Sequence, residues 1–270
     1  MSRAHIILSS VADRPIIEND RTITVSGDDY HHLVNVLRMK IGDSVVALST
    51  DVRYETVISG ISKNSITLRI IDAGIIKRNL FYISMILPVM APDKMEYMVQ
   101  KVTELGVDEI VLTFFNRCEH KASRTNTINR QGRLLRISRE AVNQSFNDVI
   151  PAIRFASSLN DAVELMSGSY VLFAFFESGA KFTVNEAMSA VRFESEWSPK
   201  GSDTAQRKLV LVIGPAGSMD DEERNFLIGK GALTVTINQN ILRSETAAIA
   251  ALAIIRNNEL ERIRSCAGDI

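Results

Sequence analysis

The chain has 270 residues, 46% of them hydrophobic, with 31 Lys and Arg against 32 Asp and Glu, for a formal net charge of -1. That length supports one large domain or two of ordinary size with at least one full core. The charge balance argues against a protein that coats nucleic acid nonspecifically, although it leaves room for a local basic patch. No apolar run approaches the roughly 20 residues of a membrane span, and the apolar part of MSRAHIILSSVADRP is too short for a signal peptide, so a soluble cytoplasmic protein is expected. Cys118 and Cys266 lie far apart without partners at metal-ligand spacing, which suggests neither a disulfide framework nor a zinc site.

From Arg3 to about Asp72 the pattern is one of short extended runs, RAHIIL, TITV, SVVALS, RYETVIS and SITLRII, separated by turn pairs such as Gly42-Asp43 and Lys63-Asn64. A small β-rich domain over residues 1–73 follows. One helical insertion interrupts it: Asp28-Asp29 precede YHHLVNVL, in which Leu33, Val36 and Leu37 are predicted to share a face. The adjacent His31 and His32 project in different directions on a helix, so they make a poor metal pair. Residues 73–79, AGIIKRN, read as a linker.

After Leu80 apolar strands alternate with helical stretches, which predicts an α/β domain over 79–270 with a mostly parallel sheet. FYISMILPV is a buried strand. DKMEYMVQKVTELG is a helix with Asp93 as N-cap and Gly106 as its stop, lined on one face by Met95, Met98, Val99, Val102 and Leu105. EIVLTFF is the next strand and 130–146 a basic amphipathic helix. SYVLFAFF, KLVLVIG and ALTVTI are further strands; 159–167, 219–229 and 244–262 are further helices. The polar stretch 194–208 reads as a long surface loop.

In open α/β sheets ligands collect beyond the carboxyl ends of the strands, which singles out three junctions: FAFFES (173–178), VIGPAGSMDDEE (212–223) and TINQNILRSET (236–246). In the second, Gly214 and Gly217 allow a tight path, Pro215 stiffens it, and Ser218 with Asp221 has capping-box spacing. The acidic run Asp220 to Glu223 makes it a poor phosphate cradle, and neither the P-loop nor the dinucleotide glycine motif is present, so a nucleotide-dependent enzyme loses its main support. In the third, Ser244 is a possible N-cap, Glu245 suits the first turn, and Ala247 to Ile255 is apolar without interruption, so the helix is expected at a crowded internal or subunit contact. Arg243 stands at its mouth, where a charge serves either an ion pair or a ligand.

Taken together, HHLVNVLRMKIGD (31–43), KMEYMVQKVTELGVDEI (94–110), FNRC (115–118), REAVNQS (139–145), IGPAGS (213–218) and ILRSETAAIAAL (241–252) resemble, in order and spacing, the RsmE family of SPOUT methyltransferases. The resemblance implies a SPOUT-type trefoil-knotted parallel sheet domain preceded by a small PUA-like β-barrel domain, with the whole forming a homodimer. It implies methylation of N3 of a uridine in 16S ribosomal RNA, free or in the small subunit, with S-adenosylmethionine as donor and without metal or membrane. The donor-binding residues it implies are Phe175, Gly214, Pro215, Ala216, Gly217, Ile237, Asn238, Gln239, Ile241 and Leu242. Arg243 is the candidate for orienting the uracil or stabilising its charge, and Glu245 for holding that arginine or accepting a proton. Arg38 and Lys40 in the small domain, with Arg117 and Arg139 in the larger one and Arg133 and Arg136 beside it, are the candidate RNA contacts; solvated surface charge is the alternative for each.

The family pattern is broken at four points. An acid is missing at Ala216 and an arginine at Asn240, while Asn143 replaces an acid and Asn147 an arginine. These losses are compatible with compensation between former partners and equally with altered substrate handling. A noncatalytic RNA-binding or ribosome-assembly homologue on the same fold is the alternative function.

Overall fold

The period-two runs of the N-terminal region form a six-stranded sheet. In the computed structural model, which describes residues 3–7, 17–18, 21–49, 52–76, 79–118, 130–190 and 207–267, these strands are β1 (Arg3–Ile7), β2 (Ile17–Glu18), β3 (Thr22–Ser26), β4 (Ser44–Leu48), β5 (Val52–Ile61) and β6 (Ser65–Ile75). Their order is β1-β4-β5-β6-β3-β2, parallel at β1/β4 and antiparallel elsewhere. Ile23 and Val25, Val45 and Ala47, and Ile66 and Leu68 are alternate residues that meet Ile58 and Leu33 in one core. The chain divides into two units, Met1–Arg78 with Val142–Asp148, and Asn79–Ala141 with Val149–Ile270. Within the first, Asp148 pairs with Arg53.

Two expectations for this unit change. The insertion is helical, but a short α1 (Gly27–Tyr30) passes into a π-helical turn, His31–Val36. Leu33 is buried, whereas Val36 and Leu37 are 56% and 44% exposed. The Leu37 N–H donates to the His32 carbonyl at 2.9 Å, five residues back. That wider winding turns Val36 and Leu37 away from the face that α-helical spacing gives them. Residues 73–75 belong to β6 rather than to a linker, because Ala73, Gly74 and Ile75 pair with Tyr54, Arg53 and Val52. Residues 77 and 78 lie outside the described residues.

In the second unit the continuous apolar runs become a fully parallel sheet of seven strands: β7 (Phe81–Pro88), β8 (Glu109–Thr113), β9 (Ala152–Ala156), β10 (Tyr170–Phe175), β11 (Phe182–Thr183), β12 (Arg207–Ile213) and β13 (Leu233–Thr236). The order is β11-β13-β10-β12-β7-β8-β9. Strands with two buried faces carry apolar residues on both sides, and the middles of β7, β8, β10 and β12 are mostly of that kind. Ile83, Met85, Leu87, Leu209, Leu211 and Ile213 enter one core. Ile86, Val111, Val210 and Val212 enter the other.

Helices α2 (Pro92–Glu104), α3 (Gln131–Ser145), α4 (Leu159–Glu164), α5 (Val184–Ala190), α6 (Asp221–Gly229) and α7 (Ser244–Ala267) complete the order. α2 buries Met95, Met98, Val99 and Val102, as their spacing predicts, and ends before Gly106 at φ 83. Its start differs: Pro92 is the first helical residue and Ala91 the cap, so Asp93 lies in the first turn. Proline suits that position because its missing N–H would have no intrahelical partner. β9, β11 and α5 are additions to the sequence reading. β9 is an edge strand with an interrupted apolar pattern, and α5 and β11 are too short for a clear period. Of the expected surface loop, residues 194–206 lie outside the described residues, and Arg207 and Lys208 open β12. Among the described residues no helix is long and apolar enough to cross a membrane.

Candidate active site

Parallel strands put their carboxyl ends on one edge, and the three junctions singled out by sequence gather there. The turn after β12 is built by close backbone approach. A Cβ on Gly217 would stand 2.8 Å from the Arg117 carbonyl oxygen, and one on Gly214 would stand 3.1 Å from Met219 Cγ. The loop after β8 is pinned to α6 as well: the Asn116 N–H donates to Glu223 Oε1 at 2.7 Å and its amide donates to Asp220 Oδ2 at 2.8 Å.

The capping box at α6 is Asp220 with Glu223, both reciprocal bonds being present, and not Ser218 with Asp221. Ser218 sits at φ 61 and turns its hydroxyl to Glu177, which removes it from the cap. Hydrogen bonds from the Glu223 N–H and then the Asn116 amide hold the Asp220 carboxyl below its ordinary value. At α7 the Arg243 carbonyl accepts from the Ala247 N–H at 2.8 Å, which makes Arg243 the cap position. Ser244 is instead buried, its hydroxyl donating to the Gly214 carbonyl at 2.8 Å. That bond ties the start of α7 to the end of β12.

Two hollows flank this tie. The first is a cleft lined by Phe175, Phe176 and Glu177 after β10, by Gly214, Pro215 and Ser218 after β12, and by Ile237, Asn238, Asn240 and Leu242 after β13. Its lining combines apolar walls and short polar groups with two charged side chains, Glu177 and Arg224. The Asn238 side-chain oxygen accepts the Asn240 N–H at 2.9 Å, so the loop after β13 holds its own turn. The second hollow, about 270 Å³, lies between the β7–α2 turn and the start of α7. Pro88 to Ala91, Lys94, Cys118, Pro215, Ala216, Ser244 and Glu245 line it. Pro215 and Ser244 are common to both.

Of the residues expected to hold the donor, Phe175, Gly214, Pro215, Ile237, Asn238 and Leu242 line the first hollow. Ala216 lines the second, and Gly217, Gln239 and Ile241 line neither, Ile241 being 77% exposed. Glu245 lines the second hollow; Arg243 is exposed and lines neither. Neither side chain has a hydrogen bond or ion pair to a described residue. Phe176, Glu177, Ser218 and Asn240 are additions, and their shared signal is position after a parallel strand.

The candidate RNA contacts are spread over both units. Arg38, at φ 55, and Lys40 are exposed in the first. Arg117 and Arg139 are exposed in the second, where Arg133 is committed to Glu96, its Nη2 donating at 2.7 Å, and Arg136 faces Glu140 at 3.9 Å. Among the described residues no group of three or more His, Cys, Asp and Glu is placed to hold a metal ion.

A family model described as an RNA methyltransferase domain matches residues 77–256, and a second, an RNA methyltransferase PUA domain, matches 25–71. The chain belongs to this RNA methyltransferase family. It is 29% identical over 243 residues to ribosomal RNA small subunit methyltransferase E of Bacillus subtilis, covering 88% of this chain and 91% of the relative. A second enzyme of that name, from Borreliella burgdorferi, is 28% identical over 251 residues, covering 91% and 95%. Among solved structures, the Neisseria gonorrhoeae small subunit methyltransferase E bound to S-adenosyl methionine superposes with a TM-score of 0.73 at 20% identity, covering 95% of this chain and 98% of that one. The fold is accordingly that of the α/β RNA methyltransferase domain preceded by its PUA domain.

Proposed function

We propose that the chain methylates N3 of one uridine in 16S ribosomal RNA, using S-adenosylmethionine, in the cytoplasm and as a homodimer. The carrying observation is the pair of adjoining hollows that share Pro215 and Ser244, a cleft built from the three strand-end junctions on one side and, on the other, a cavity lined by a carboxylate, Glu245, without a partner among the described residues.

The residues of the first hollow fit the donor. Phe175, Phe176, Ile237 and Leu242 offer apolar surface to a purine, while Glu177, Asn238 and the turn backbone offer hydrogen bonds to hydroxyls and to the amino-acid end. S-adenosylmethionine supplies an electrophilic methyl, whose transfer forms the N3–C bond and leaves its sulfur with the bonding pair. This chain's residues must hold the two partners in line, and that alignment can supply much of the acceleration without a metal. Uracil N3 lies on the Watson–Crick edge and carries a proton, so the base has to be unpaired or flipped out to enter. We assign the acceptance of that proton to Glu245, which lines the second hollow. To Arg243, exposed one residue before α7 and without a partner among the described residues, we assign the orientation of the RNA.

Arg38, Lys40, Arg117 and Arg139 are the cations we assign to the RNA backbone. The homodimer is supported by α7. Its stripe Ala248, Ala251, Leu252 and Ile255 is buried, yet Ile249, Ala250 and Ala253 are only half-buried and Leu260 and Ile263 are 54% and 42% exposed. The helix therefore keeps apolar surface for a second copy.

The test is mass spectrometry of small-subunit RNA from a strain lacking the gene. Loss of a single 3-methyluridine, restored by the purified protein with S-adenosylmethionine, is the expected result. An unchanged nucleoside profile would sink the assignment.

A further inference from the structure

The second hollow is lined by two opposite charges that no described residue pairs. Lys94 is exposed in the first turn of α2, and its ammonium makes no hydrogen bond or ion pair to a described residue. Glu245, in the first turn of α7, is half-buried and equally unpartnered among the described residues. Elsewhere in this unit charges near the core are paired: Glu109 with Lys208 and Arg154, Asp108 and Glu259 with Arg256, and Glu96 with Arg130 and Arg133. Two such groups, unpaired among the described residues and lining one cavity beside the donor cleft, suit a ligand that carries both a donor and an acceptor.

The Watson–Crick edge of uracil has that pattern, an N3–H donor flanked by two carbonyl acceptors. Cytosine does not, since it presents a bare N3 that would face the Glu245 carboxylate. Building on the uridine reading above, we propose that this cavity seats the acceptor base and that Lys94 donates to a uracil carbonyl oxygen, offsetting the negative charge that spreads onto it as N3 loses its proton. Lys94 thereby both selects uracil and makes its proton easier to remove. The cavity, about 270 Å³, has room for a single base. The starts of α2 and α7 also turn their positive dipole ends to it, which favours the same anion. Pro215 and Ser244, shared with the donor cleft, place the two partners side by side.

Lys94→Gln and Lys94→Arg test this, because the site is exposed and either chain should fold. Turnover is measured against pH on small subunits from the deletion strain, and S-adenosylmethionine affinity by calorimetry. For K94Q we expect donor affinity within twofold of the parent, turnover at pH 7 reduced about tenfold or more, and the rising limb of the pH profile moved up by about one unit, so that the deficit narrows in alkali. K94R should recover part of the rate. Donor affinity lost along with turnover would move Lys94 into the donor site and overturn the proposal, as would an unchanged pH profile. If the parent protein itself methylates no uridine, the reading of the function fails first; a parent that works with a K94Q variant that works equally well refutes only the role of Lys94.

Discussion

At the scale of single residues the site depends on the close approach of backbones. Gly217 needs no unusual φ; what it needs is space, since any side chain would meet the Arg117 carbonyl. Gly217→Ala should therefore cost about 1–3 kcal/mol in urea unfolding, the range for forced overpacking. It should also weaken donor affinity, because the same turn forms the wall of the cleft. Gly132, in α3 with nothing within 4 Å of an added Cβ, is the contrasting case. Gly132→Ala should stabilise by about 0.5–1 kcal/mol through helix propensity, and equal effects at both glycines would refute the argument. Burial pushes the Cys118 thiol up, which keeps it a weak nucleophile at the edge of the second hollow.

At the scale of elements the start of α6 works as a clip. Asp220 caps the helix while accepting from Asn116, and Glu223 accepts from the Asn116 backbone and from the Asp220 N–H, so one helix end fixes the loop after β8. The folded carboxyl of Asp220 titrates below its unfolded value. Its contribution is thus present above the ordinary carboxylate range and is lost as pH falls through the folded value. Asp220→Ala should lower Tm near pH 7, and the gap to the parent should close as pH drops below about 4. A gap that stays constant down to acid would assign the effect to something other than the charge. The cap at α7 illustrates the opposite case. Sequence rules favour Ser244, but a serine at the first helical position is free to reach across to Gly214, and tertiary contact takes the hydroxyl.

At the scale of the whole methyltransferase unit, α7 is anchored through Arg256. Its guanidinium donates to the carbonyls of Gly106 and Phe81 and to Asp108 and Glu259, while Glu259 in turn accepts the Phe81 N–H at 3.1 Å. Asp108 and Glu259 are buried, and burial outweighs the guanidinium to raise the Asp108 carboxyl. Arg256→Met leaves two buried carboxylates without their cation and should cost about 3 kcal/mol or more, measured by urea unfolding with an unchanged m-value. Full burial of Leu252 and Ile255, worth roughly 1.5–3 kcal/mol each, adds the apolar part of the same docking.

What the chain determined by itself is whatever has a local period. The alternating runs of the small domain, the uninterrupted apolar strands of β7, β8, β10 and β12, and the α2 face with its Gly106 stop were all legible, because each depends on neighbours within a few residues. The motifs after the strands marked three junctions, which gather at one edge of the sheet, for the same reason. Tertiary structure alone decided which side chains share a hollow, because a parallel sheet brings together residues more than a hundred positions apart, such as Lys94 and Glu245. It also decided which hydroxyl caps and which reaches across, the π-helical winding that exposes Val36 and Leu37, and the stripe of α7 that is buried. Each of these depends on competition between a local hydrogen bond or apolar contact and a distant one, and a sequence window holds only the first competitor.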